Sequence, residues 1–208
     1  MKALALIAVV LALAGCGSED ADEAGAPGPV TVTETVTEPE PEPEPTEPEP
    51  EAGCSTAGLR LTLPEQDLPA EVAEVRQRVF DAAVACNYDT LEQIALERGE
   101  GFTFSFGGGD SAAAFWRDVE EAGTEEPLPM RALAQILALP YTRNEAGSYA
   151  WPTAYDESPE EADWQALVDA GLYSREELEL MQTQGTGYLG YRTAITPDGD
   201  WQFFTAGD

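Results

Sequence analysis

The chain reads as an α+β protein, with a small antiparallel sheet ending in a C-terminal aromatic hairpin and several helices covering it. Three observations predict this. Six stretches between Pro69 and Gln182 carry apolar residues at helical spacing, each with its own start or stop signal. Two aromatic-rich runs of period two, Tyr188 to Ile195 and Trp201 to Ala206, flank Thr196-Pro197-Asp198-Gly199-Asp200, whose Pro and Asp-Gly suit a hairpin turn. The stretch 54–208 has the size and apolar content of one folded domain, and no internal repeat is visible.

The elements follow in chain order. Met1 and Lys2 precede an apolar stretch from Ala3 to Ala14, a charged n-region and an h-region. Spanning a bilayer takes about 20 apolar residues, so this run is too short. It closes with Leu13-Ala14-Gly15-Cys16: an aliphatic residue, two small residues, then Cys. This arrangement resembles the lipobox signal peptide of bacterial lipoproteins. The resemblance covers residues 1–16 and implies cleavage before Cys16, lipidation of its sulfur and a mature chain that starts there. The globular part resembles the uncharacterised small lipoproteins of high-GC bacteria, with Ala-rich composition and Arg in place of Lys. The implied location is the extracytoplasmic face of the cell membrane. Two or three acyl chains, at about 0.8 kcal/mol per buried CH₂, hold firmly where one would not.

Residues 16–53 read as the lipidated Cys and an acidic stalk. From Gly17 to Gly53 there are twelve Asp and Glu, no Lys or Arg, and no aromatic residue. Alternating Glu and Pro from Glu38 to Pro45 blocks helix and sheet, because proline fixes φ and removes an amide donor. The expectation is a disordered spacer of polyproline II character, reaching up to ~100 Å.

The domain, 54–208, carries 28 acids against nine Arg, a net charge of −19. Nucleic acid is excluded as a partner, since phosphate neutralisation needs a basic face. Asp67 and Pro69 open a first helix with Val72, Val75, Val79, Phe80 and Ala83 on one face. Asp89-Thr90-Leu91-Glu92 reads as a capping box for a second, to Leu96. Phe102-Thr103-Phe104-Ser105-Phe106 alternates as a half-buried strand. Asp110 or Ser111 caps a third helix with Phe115, Trp116 and Val119 inward and Gly123 as its stop. Pro127 and Pro129 begin a fourth, with Met130, Leu133, Ile136 and Leu137 on one face. Ser148 to Trp151 is a short strand ended by Pro152. Ser158-Pro159-Glu160-Glu161 and Ser174-Arg175-Glu176-Glu177 start two more helices, the first carrying Trp164, Leu167 and Val168. The helix-helix-strand opening and closing hairpin resemble in part the cone-shaped α+β folds of the nuclear transport factor 2 type, from which the helices between the strands depart.

With Cys16 lipidated, Cys54 and Cys86 remain as an even pair in an exported domain and are expected to form a disulfide. A reactive Cys86 would lack an activating His. There is no His in the chain and no Lys after Lys2. Ser-His-Asp and Cys-His catalysis, His-based zinc sites, Schiff-base lysines and the phosphate-loop lysine are therefore absent. No cofactor and no metal site is expected. What is left for catalysis rests on carboxylates, Ser, Tyr and Arg; among the carboxylates, Glu160, Glu161, Glu176 and Glu177 are explained as helix-start residues favoured by the dipole.

Gly107-Gly108-Gly109-Asp110 reads as a flexible turn rather than an anion cradle, because Asp110 is itself an anion. Asp198, Asp200 and Asp208 read as turn and terminal residues rather than calcium ligands. Arg143 and Arg192 are expected in structural ion pairs. Trp151, Tyr155, Tyr188, Tyr191 and Trp201 form a late aromatic set: inward members are core, and outward members would make a stacking surface for sugar rings or an apolar partner. The functional expectation is a cell-envelope lipoprotein with a non-catalytic binding domain, joined to the membrane through its lipid and meeting an envelope protein or glycan. The alternative is a carboxylate-based enzyme acting on a cell-wall glycan, which needs two carboxylates about 5–9.5 Å apart in a cleft.

Overall fold

A computed structural model describes residues 53–98 and 101–207. The leader, Cys16 and the stalk to residue 52 lie outside the described residues, as does Asp208. The architecture is α+β: six α-helices and a four-stranded antiparallel sheet whose last two strands form the aromatic hairpin.

The first helix, α1, runs Ala70–Val84 and buries Val72, Val75, Val79, Phe80, Ala82 and Ala83. Its last turn closes with Cys86 N–H donating to Ala83 O and Asn87 N–H to Ala82 O, while Cys86 holds φ 49°. That is a Schellman ending with cysteine at a left-handed position usually filled by Gly. The second, α2, spans Tyr88–Leu96. Its cap is Asn87, whose side chain accepts from Thr90 N, not the expected Asp89. Ser111 caps α3, Ala112–Ala122, and Gly123 at φ 59° ends it. Trp116 is inward there, but Phe115 lies outward and Val119 is only half-buried. Next, α4 runs Pro129–Leu137 with every residue buried except Arg131. The capping box of α5, Glu161–Asp169, is Glu160 with Asp163, two residues later than expected from Ser158. The box of α6, Arg175–Gln184, is Ser174 with Glu177, as read.

The strands are β1 Thr142–Arg143, β2 Tyr149–Trp151, β3 Arg192–Ile195 and β4 Trp201–Thr205, in spatial order β1-β2-β3-β4. Sequence reasoning missed β1, which is two residues long and has no pattern to read. In β2–β3–β4, Trp151 faces Thr193 and then Phe204, and Tyr149 faces Ile195 and then Trp201. A bulge in β4 leaves Gln202 outside this register. The helix-helix-strand opening is not formed. Thr103 makes one parallel bridge to Phe203, after which Ser105 turns the chain, its carbonyl accepting from Gly108 N and its hydroxyl from Gly107 N. Tyr188 to Tyr191 also stay out of the hairpin, because the Tyr191 amide donates to the Tyr173 hydroxyl at 2.9 Å instead of to a strand.

Burial of α4 poses a problem that the rest of the fold solves. A helix hidden from water cannot have its end groups hydrated. At its start, Glu120 of α3 accepts from Met130 N at 2.7 Å. At its end, Arg76 of α1 donates from Nε and Nη2 to Leu137 O at 3.1 and 2.6 Å, and from Nη1 to Pro64 O at 2.9 Å. The anion lies at the positive end of the helix and the cation at the negative end, so both charges favour the dipole. Burial pulls the Arg76 guanidinium down to about 10, still far enough above neutrality to remain a cation. Arg76→Met keeps the stem and strands the two carbonyls. It is expected to cost about 1–3 kcal/mol, read by urea denaturation, and no measurable loss would contradict this role.

Candidate functional site

The late aromatic set is mostly core. Trp151 is 0 % exposed, Trp201 2 %, Tyr188 5 % and Tyr191 9 %. Their polar atoms are engaged inside the domain. Trp201 Nε1 donates to Thr193 Oγ1 at 2.7 Å, Trp151 Nε1 to Gln66 Oε1 at 3.1 Å, and the Tyr188 hydroxyl to Tyr191 O at 2.9 Å. Burial pushes the Tyr173 and Tyr188 phenols up, so both stay neutral, Tyr188 donating to Tyr191 O and Tyr173 accepting from Tyr191 N. Trp151, Tyr188, Tyr191 and Trp201 are buried and make no outward stacking surface: strand register turns Trp151 and Trp201 inward, and Tyr188 and Tyr191 are tied to each other and to Tyr173 by hydrogen bonds. Gly190 is part of the same network: a Cβ there would fall inside the Tyr188 phenol.

Tyr155, half-buried, lines a cleft of about 520 Å³ with Arg143, Glu145, Asp156 and Glu157. Arg143 stacks on Tyr149, 4.1 Å from the ring centroid, instead of forming the expected ion pair. Asp156 accepts from Thr142 Oγ1 and Ser158 N, which holds its carboxyl below the usual range. The neighbouring Glu145 carboxyl raises the Glu157 carboxyl. The raised Glu157 carboxyl implies repulsion that is absent below its unfolded value and grows as pH rises through the folded one. Glu157→Gln is therefore expected to raise the thermal midpoint slightly at pH 7 and to lose that gain at acidic pH. An equal change at both pH values would count against the pair.

The other features are structural. Cys54 and Cys86 are joined as a disulfide with Cα atoms 5.8 Å apart. Asp198 and Asp200 serve the hairpin turn, with Thr196 Oγ1 donating to Asp198 and accepting from Asp200 N. Arg192 donates to Gly190 O and Gly207 O rather than to a carboxylate.

A second, aromatic cleft of about 230 Å³ lies at the hairpin end opposite that turn. Trp116 and Phe204, each 1 % exposed, make its floor, with ring centroids 5.9 Å apart. Tyr191 stacks on Phe204 at 5.2 Å and Phe104 stands 5.5 Å from Phe115. The rim is Phe106, 56 % exposed, and Phe115, 36 % exposed. Gly109, at φ 151°, lets the glycine turn close on the Phe104 ring, since a Cβ there would come within 2.9 Å of it. At the mouth, the Tyr191 hydroxyl donates to Glu125 Oε2 at 3.0 Å. Desolvation, then the Glu125 charge, pushes the Tyr191 phenol far up, so it stays a donor.

Only Tyr191 of this cleft belongs to the expected set. One signal for the rest was available: Phe115 and Trp116 are adjacent on a helix, about 100° apart, which spans the whole width of an ordinary apolar face and puts one of them at its edge. The Phe104 and Phe106 positions had no such signal, because their run alternated like a strand. Among the described residues no group of acids or cysteines is arranged to hold a metal ion, and no helix is long and apolar enough to cross a membrane. No protein-family model, curated protein or solved structure matches the chain.

Proposed function

We propose that the protein is a lipid-anchored component of the cell envelope, held at the extracytoplasmic face through Cys16 and an acidic stalk, whose domain binds a ring-sized group in the aromatic cleft without catalysis. The cleft carries this reading. Two exposed phenylalanines on the domain's surface, placed over an aromatic floor with one carboxylate at the mouth, match the make-up of binding sites: apolar walls and a few placed polar groups. Its volume of about 230 Å³ is below the usual range for a drug-sized ligand, which fits one ring or one bulky group of a larger envelope component.

The binding half is tested by capture from intact envelopes, comparing the protein with its Phe106→Ala, Phe115→Ala form. Both side chains lie outward, so the fold is retained. Enrichment of a component by the parent alone supports the reading, and equal enrichment or none overturns it. The anchoring half is tested by mass spectrometry of the mature N-terminus, which should show an acylated Cys16. A Cys16→Ser form that stays membrane-bound would sink it.

A further inference from the structure

We infer that the aromatic cleft selects an organic cation, a quaternary or fully methylated ammonium group, over a neutral ring of the same size. This deepens the proposed binding role and rests on it. Three independent features point the same way. The first is ring geometry. Phe104, Phe106, Phe115, Trp116, Tyr191 and Phe204 converge on one space, and ring faces carry the negative part of the aromatic quadrupole. The domain already uses this attraction elsewhere, with Arg143 over Tyr149 at 4.1 Å and Arg117 over Tyr88 at 4.9 Å.

The second is the charge at the mouth. Glu125 is exposed and accepts a hydrogen bond from the neutral Tyr191 phenol, which orients the carboxylate without cancelling its charge. Among the described residues no arginine forms a salt bridge with it. Arg192 lies over the Phe106 ring, 5.8 Å from its centroid. Arg192 is buried, tied to the Gly190 and Gly207 carbonyls, and also lies over Tyr155, so it is not among the residues lining the cleft.

The third is the long-range field. With 28 acids and nine Arg, the domain repels anions and concentrates cations at its surface. A methylated ammonium suits this combination better than a bare ammonium. Its hydration shell is weak, so it gives up little water to enter a cleft whose polar groups at the mouth are few. A neutral sugar would use the rings but neither the carboxylate nor the field.

The test uses the full chain in detergent and reads tryptophan fluorescence, since Trp116 forms part of the cleft floor. Benzyltrimethylammonium is titrated against its neutral isostere neopentylbenzene, and choline against 3,3-dimethylbutan-1-ol. Methyl glucoside serves as a neutral ring. Saturable binding of the cations, about tenfold tighter than their isosteres, is expected. Glu125→Gln, which still accepts from Tyr191, should lose most of that selectivity, and Phe106→Ala, Phe115→Ala should lose binding. The stalk carboxylates are common to all variants and so cannot produce these differences. If the neutral isosteres or methyl glucoside bind as tightly as the cations, the cation inference is overturned and the binding role stands. Cation binding that is unchanged in Phe106→Ala, Phe115→Ala also overturns it. If no probe binds and the envelope capture is also negative, both readings fall.

Discussion

Replacing Glu120 by Ala is expected to lower the unfolding free energy by about 3 kcal/mol. The carboxylate, 7 % exposed, is a junction rather than a surface charge. Its Oε1 accepts from Met130 N at 2.7 Å and from Ser55 Oγ at 2.9 Å, while its Oε2 accepts from Ser55 N at 3.1 Å. Ser55 Oγ in turn accepts from Arg131 N at 3.1 Å. One side chain thus caps α4 from another helix and pins the start of the domain. Leu128, the residue at the cap position, has no side-chain bond to offer. A lost cap costs about 0.5–2 kcal/mol, and a hydrogen bond to a charged group is worth about 1.5–3 kcal/mol. Glu120→Gln separates the contributions. It keeps one acceptor oxygen but turns an amide donor toward the Ser55 N–H, so a loss of about 1–2 kcal/mol is expected. Urea denaturation of the three forms decides this, and a Glu120→Ala loss below about 1 kcal/mol would refute the junction.

Removing the disulfide is expected to cost about 3–4 kcal/mol. The bridge spans a sequence separation of 32 residues, and the chain-entropy relation for a loop of that size gives this figure. For a domain of this length the thermal midpoint should fall by roughly 10 °C in Cys54→Ala, Cys86→Ala, or on reduction of the parent. Cys86 contributes a further element. It sits at φ 49°, where a side chain is strained and glycine is favoured, so its conformation has to be held by its surroundings. Thr56 also anchors this junction, donating from Oγ1 to Val84 O at 2.7 Å. Because Ser55 and Cys54 are neighbours on one arm, the Glu120 and disulfide losses should be less than additive. Calorimetry of the two variants and their combination tests that coupling, and strict additivity would mean that the arm is held at independent points.

Much of the helix layer was legible because its signals are local. The Val72, Val75, Val79 face, the Ser174-Glu177 box and Gly123 after α3 each report a backbone state set by a few residues. Where reading failed, two local solutions competed. Asp89 and Asn87 are both capping residues, and Asn87 won because the Schellman ending of α1 delivers it to the first turn of α2. Phe102 to Phe106 has a strand's alternation, but one bridge to Phe203 is all the pairing it makes before Ser105 and the glycines turn the chain. The aromatic cleft was nearly illegible, since its rings come from the 102–106 run, α3, and both sides of the hairpin.

The α+β class, the closing hairpin and the pairing of Cys54 with Cys86 were all readable from the sequence. These depend on composition, periodicity and turn residues, which act over a few bonds. The tertiary structure alone decided which aromatics are core and which form the cleft, and which charges are buried. A strand register or a helix rotation reverses the face a ring presents, and both are set by packing partners far along the chain. The same holds for Glu120 and Arg76. Nothing near either residue marks it as special, and each acquires its role only when α4 is buried and its two ends must be satisfied from other helices.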